Sequence, residues 1–185
     1  MLLYFSCPLK VIRSTVVRQR DHEMRFNLVD RILEVRPGEL IRASKNLTLG
    51  EEYLADHFPG FPVMPGVLML QTLIEAGSWL LRVTEDFRYS VVALRETKGV
   101  RYANFMEPGR QMLVMAELTE IAEDLAQFKG KGEVDGNSVV SARFTLCRYN
   151  LSQRNPALRS IDEHMVSHLR NQYTLLKGDL APVRA

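Results

Sequence analysis

The residues best placed to do chemistry gather in one stretch, 56–82, which reads DHFPGFPVMPGVLMLQTLIEAGSWLLR. His57 is followed by three prolines and two glycines between positions 57 and 66, and then by an apolar run that reads as one buried helix. Pro65 stands where that helix begins, since its missing N–H is one that a first turn leaves unpaired anyway. The layout sets a titratable side chain beside a helix N-terminus. A histidine here suits either proton transfer or plain stapling of the loop, and the surroundings must decide. A second pair, His164 and His168, is spaced four apart on a later helical segment. With no third ligand nearby in sequence, that pair reads as surface or packing histidines in preference to a metal site.

The elements that position His57 follow from periodicity. Residues 26–33 and 40–49 read as strands joined by a Pro37-Gly38 turn, a hairpin leading into the central stretch. From Val67 to Val83 the polar exceptions are Gln71, Thr72, Glu75, Ser78 and Arg82, so the helix is expected to be covered nearly all round. Beyond it, 90–94, 100–105, 111–121, 125–134 and 138–149 read as strands, with turn signals at 97–99, Pro108-Gly109, Glu123-Asp124 and Asp135-Gly136-Asn137. The pattern is α+β, with one long helix on one face of an antiparallel sheet. At the tail, Asn155-Pro156 supplies an N-cap and first turn, Leu158, Ile161, Met165, Leu169 and Tyr173 recur at helical spacing, and Gly178 ends the run.

Composition narrows the class. The 185 residues are 46% hydrophobic and 25% charged with net charge +2, which fits one folded domain with appendages: an N-terminal extension at 1–23, a central domain at 24–150 and a helical extension at 151–185. Lys10, Arg13, Arg18, Arg20 and Arg25 make the start basic, but no interleaved aromatics, zinc spacing or phosphate loop accompanies them, and nucleic-acid binding has little support. Cys7 and Cys147 lie far apart, as in a reduced intracellular protein. The opening 12 residues are apolar, but without a basic n-region or a small-residue cleavage site they do not read as a secretion signal. No run reaches the roughly 18 apolar residues of a membrane span.

The stretch HFPGFPVMPGVLMLQTLIEA resembles the motif of the β-hydroxyacyl-acyl carrier protein dehydratases of the hot-dog fold. NLVDRILEVRPGELIRASKNLT is similar to that family's first hairpin, and VRYANFMEPGRQM to its strand after the helix, so the likeness runs from about Arg25 to Tyr149. It implies a curved antiparallel sheet wrapped around the helix. It also implies dehydration of (3R)-hydroxyacyl thioesters on acyl carrier protein in fatty-acid or related lipid synthesis, with no cofactor and no metal. His57 would take the α proton, and the free Gly66 amide would polarise the thioester carbonyl where enolate charge develops. The family's carboxylate falls at position 71, where this chain has Gln71, and its usual glutamine falls at Glu75. The two residue types have exchanged places one turn apart on one helix face.

An amide accepts and donates hydrogen bonds but releases no proton. Three readings follow: Glu75 acts as the displaced acid, its carboxyl raised by an apolar helix; the pocket serves another reaction such as thioester hydrolysis; or the chain binds acyl groups or acyl carrier protein without turnover. Phe61, Met64, Val67, Phe105 and Met106 are the candidate acyl-binding residues, and Lys98, Arg101 and Arg110 the candidate contacts to an acidic carrier protein. The resemblance further implies homodimers joined edge to edge, with His57 of one chain facing positions 71 and 75 of the other, assembly up to a trimer of dimers, and a cytoplasmic location.

Overall fold

The computed structural model describes residues 27–178. Strand β1 (Arg31–Arg36) and β2 (Leu40–Asn46) form the first hairpin, helix α1 (Gly66–Thr84) follows, and β3 (Val91–Tyr102), β4 (Gln111–Ile121), β5 (Leu125–Val134) and β6 (Asn137–Tyr149) complete the sheet before helix α2 (Arg159–Lys177). The six strands run in the order β1-β2-β4-β5-β6-β3, each pair antiparallel. Register shifts in β1, β3, β4 and β5 add local twist, which bends the sheet around α1. This is the hot-dog arrangement that the resemblance implies.

The apolar run of α1 is consumed by that wrapping. Leu73, Ala76, Leu80 and Leu81 are fully buried, each large side chain contributing about 1.5–3 kcal/mol by leaving water. Its hydroxyl side chains are satisfied locally: Thr72, Ser78 and Thr84 donate to the carbonyls of Leu68, Ile74 and Leu80, all at 2.8 Å. Gly77 lets the sheet come close, for a Cβ there would lie 2.8 Å from Phe144 Cε2. Phe144 stacks on Phe128 at 5.3 Å, and together they form the floor under the helix.

Three expectations need correction. The segment expected as a strand over 26–33 enters the sheet only at Arg31, because the Leu28 and Val29 amides bond a side chain of α1 instead of a neighbouring strand. The turn expected at 97–99 is a bulge inside one continuous strand, β3, where Gly99 takes φ +62° and the register against β6 shifts between Lys98 and Arg101. In the tail, Asn155 caps a 3-10 turn at Pro156–Leu158, and α2 itself starts at Arg159. Its buried positions are Asp162 and Leu176, while Ile161 is exposed. The helix rolls to that face because the Asp162 carboxylate accepts from Ser90 Oγ, Leu151 N and Ser152 N. Tyr173 then packs on Trp79 and Phe87, seating α2 on its own chain. The N-terminal extension at 1–23 lies outside the described residues, as does Cys7, while Cys147 is half-buried on β6.

Candidate functional site

His57 sits in the loop between β2 and α1, held through its backbone and its ring. Its own N–H donates to Tyr53 O at 3.1 Å, and its ring Nδ1 lies 2.9 Å from Val63 O. A carbonyl oxygen can only accept, so Nδ1 carries the hydrogen and Nε2 is left as the basic nitrogen of the neutral ring. The prolines explain the fixed loop: Pro59, Pro62 and Pro65 restrict the backbone, and the chain turns back at Phe58, whose φ of 60° is unusual for a residue with a bulky side chain. Strain beside a reactive group is a common property of functional loops.

The same loop delivers the chain into α1. The Leu68 and Met69 amides both donate to Pro65 O, at 2.9 and 3.2 Å, and helix geometry leaves the Gly66 and Val67 N–H groups without an intrahelical acceptor. His57 and Gly66 line one groove of about 380 Å³ together with Met64, Met69, Tyr102 and Phe105. Tyr102 lies against Gly66: a Cβ at that glycine would be 3.1 Å from Cδ1 and Cε1 of the tyrosine ring. A base and a residue with a free amide, His57 and Gly66, thus line one apolar groove, an arrangement able to abstract a proton next to a carbonyl and hold the resulting oxyanion.

The residues expected to bind an acyl group divide. Met64 and Phe105 line the groove, and Phe61 meets the Phe105 ring edge-on at 5.8 Å. Val67 is exposed on the first turn of α1, while Met106 is fully buried behind the wall, its carbonyl accepting the Met64 N–H at 2.9 Å. Among the expected carrier-protein contacts, Lys98 pairs with Glu96 at 2.9 Å and Arg110 with Asp135 at 2.8 Å, and Arg101 is exposed on β3 opposite Ser141.

Neither side chain of the exchanged pair lines its own chain's groove. Gln71 is exposed on α1. Glu75 is turned to the N-terminal segment, accepting from Leu28 N at 2.8 Å and Val29 N at 3.3 Å. Burial pushes the Glu75 carboxyl up, partly offset by the two amides, by the Trp79 N–H, which lies near without reaching hydrogen-bonding geometry, and by the charge of Arg82. Arg82 is itself pushed down to about 10 by burial, with Glu75 acting against that shift. Tyr102 was absent from the sequence-based candidates. Its signal is its place in the strand that resembles the family's strand after the helix.

His164 is exposed and His168 half-buried on α2, and no group of three or more potential metal ligands occurs among the described residues. Among those residues no helix is long and apolar enough to cross a membrane.

Comparison with known proteins gives the family and the fold. The model of the FabA-like domain family matches residues 21–143. A 3-hydroxyacyl-[acyl-carrier-protein] dehydratase FabZ of Albidiferax ferrireducens is 38% identical over 134 residues, covering 70% of this chain and 89% of the relative. Its counterpart in Thioalkalivibrio sulfidiphilus is 36% identical over 136 residues, covering 69% and 89%. In fold, the chain is similar to the dehydratase heterocomplex ApeI:P from Xenorhabdus doucetiae, with a TM-score of 0.60 at 15% identity over 75% of this chain and 93% of that one. A Streptococcus mutans protein bound to acetyl CoA superposes with a TM-score of 0.53 at 14% identity over 69% and 94%.

Proposed function

Because this chain belongs to the FabA-like domain family, we propose that it is a hydro-lyase that dehydrates (3R)-hydroxyacyl thioesters of acyl carrier protein to trans-2-enoyl thioesters in fatty-acid synthesis. The observation that carries this reading is the Nδ1 contact to Val63 O, which leaves Nε2 of His57 as a base in the groove that Gly66 also lines. The thioester oxygen accepts from the Gly66 amide, the α proton passes to Nε2, and the 3-hydroxyl departs as water. Met64, Phe105 and Phe61 flank the acyl chain.

The active form is a homodimer in which the β3 edges join and the partner subunit's Gln71 faces His57, with a trimer of dimers as the larger assembly. In it Gln71 orients the substrate hydroxyl as a hydrogen-bonding amide. Glu75 ties the N-terminal segment to α1 and takes no proton step. Lys98 and Arg110 meet the acidic carrier protein by exchanging their intrachain partners, and the exposed Arg101 joins them, in the cytoplasm.

Purified protein given a 3-hydroxyacyl carrier-protein thioester forms the enoyl product, and His57→Ala lowers kcat by about 100-fold or more. A second reading, acyl binding without turnover, is favoured by the amide at position 71 and by the prior engagement of Glu75. Tight acyl-carrier-protein binding with no enoyl product, unchanged by His57→Ala, establishes that reading and excludes the enzyme.

A further inference from the structure

The dehydratase reading leaves one proton without a source. The leaving hydroxyl must be protonated, position 71 is an amide, and the carboxyl of Glu75 is held by Leu28 and Val29 outside the groove. Within the groove Phe58, Met64, Met69, Ala103 and Phe105 have no transferable proton, and the Asn104 amide donates to Ser138 O at 3.1 Å and cannot ionise usefully. Among the described residues, the one lining side chain besides His57 with a proton to give is Tyr102.

Its backbone is held in the sheet. Tyr102 is the last residue of β3, registered against Val140 of β6, and the next amide, Ala103 N, donates to Val139 O at 2.9 Å. The ring lies over the first residue of α1, so that a Cβ on Gly66 would be 3.3 Å from Cζ, the carbon that bears the hydroxyl. The phenol is therefore beside the amide proposed to hold the thioester oxygen. Carbonyl, α and β carbons follow one another at about 1.5 Å per bond. A 3-hydroxyl on a thioester seated at Gly66 is within reach of that ring.

We propose that Tyr102 is a catalytic residue, the general acid that protonates the departing hydroxyl, supplying within one chain what a carboxyl at position 71 would supply across the dimer. The inference rests on the dehydratase reading. His57 Nε2 takes the α proton and becomes imidazolium as the α,β double bond forms. The C3–O bond breaks with its electron pair on oxygen, and the Tyr102 O–H proton joins it to give water. The imidazolium proton then returns to the phenolate, directly or through that water, and both groups are restored without any co-reactant.

The test is steady-state enoyl formation by wild type, Tyr102→Phe, Gln71→Glu and the double variant, all checked for an unchanged melting temperature and oligomeric state. Phenylalanine keeps the ring over Gly66 and removes the proton alone. The expected result is a kcat lowered by about 100-fold with KM within about twofold, and a recovery of at least tenfold when Gln71→Glu is added to Tyr102→Phe. Wild-type turnover with Tyr102→Phe within about threefold of it overturns the proposal and leaves the dehydratase reading standing. A lowered kcat with no recovery in the double variant assigns the hydroxyl to packing and likewise overturns it. No turnover by wild type removes the dehydratase reading itself, and this proposal with it.

Discussion

The carboxylate of Glu75 accepts the Leu28 N–H at 2.8 Å across 47 residues of sequence. That bond, with a second from Val29 N at 3.3 Å, anchors the entry to β1 on the helix at the centre of the fold. Leu28 and Val29 are each 1% exposed, so their amides have no water to turn to. Glu75→Ala is therefore expected to cost about 1–3 kcal/mol for each amide it orphans, read by denaturant unfolding.

Glu75→Gln separates the structural role from a catalytic one. The amide keeps one acceptor for Leu28, so the fold persists, and kcat is expected to stay within a few-fold of wild type. The pH dependence carries a sign. Burial is the largest influence and raises the folded-state carboxyl above its ordinary value of 4.5, so the folded chain holds that proton more tightly than the unfolded chain does. The resulting contribution is complete below 4.5 and is lost as pH rises through the raised folded value. The wild-type melting temperature should thus fall, relative to that of Glu75→Gln, over this interval. A scan from pH 4 to 8 in which the two curves run parallel contradicts the assignment.

Gly77→Ala tests the closeness of helix and sheet. The new methyl would meet Phe144 Cε2 at 2.8 Å and Cζ at 2.9 Å, and Phe144 is pinned by its stack on Phe128. Alanine gains about 1 kcal/mol of intrinsic helix preference over glycine. Overpacking of a closed core costs about 1–3 kcal/mol, and the aromatic stack leaves the ring little freedom to yield. A net loss of stability, measured as a lower midpoint in urea, is the expected outcome.

Local signals made the site's framework legible. His57, the three prolines and Gly66 follow each other within ten positions, and each acts through backbone geometry that a short stretch already determines. The Asp135-Gly136-Asn137 turn was legible for the same reason, since Asp135 and Gly136 take φ of 51° and 79° there. Partners remote in sequence were not. Nothing near Glu75 indicates that its acceptors will be filled by amides 46 and 47 residues upstream, and nothing near Asp162 indicates Ser90, 72 residues away. The break expected at 97–99 failed differently: glycine marks bulges as well as turns, and only the partner strand β6 distinguishes them. Tyr102 stayed hidden because its importance comes from lying over Gly66, a contact between two elements.

Asp162 fixes α2 to the domain and gives that attachment an acid limit. Burial pushes its carboxyl up, but hydrogen bonds from Ser90, Ser152 and Leu151 outweigh it and hold the group well below the usual carboxylate range. A depressed folded value means that the contribution is present above the ordinary 3.8 and is lost as pH falls through the lower folded value. Asp162→Asn places an NH2 group against one of these donors, so it is expected to lower the melting temperature at pH 7. The gap to wild type should shrink as the pH is taken below 3.8. Amide hydrogen exchange along α2 should rise in the variant before that of α1, because the helix loses its anchor while the core is untouched.

Gly66→Ala sets stability against activity at one atom. Alanine is the better helix former by about 1 kcal/mol, and Gly66 is the first residue of α1, where a methyl faces no backbone. That methyl would, however, come within 3.1 Å of two ring carbons of Tyr102, which must shift by a few tenths of an ångström or swing out. The ring is half-exposed and able to yield, so the melting temperature should hold or rise slightly. The groove cannot yield as cheaply, because the same methyl narrows the approach to the Gly66 amide and displaces the Tyr102 hydroxyl from the hydroxyl it would protonate. Misplacing both groups by well under an ångström is expected to lower kcat by roughly tenfold or more. Calorimetry and enoyl-forming rates on the same preparation check the two halves together, and a variant that is both as stable and as active as wild type would show that neither the amide nor the ring is used.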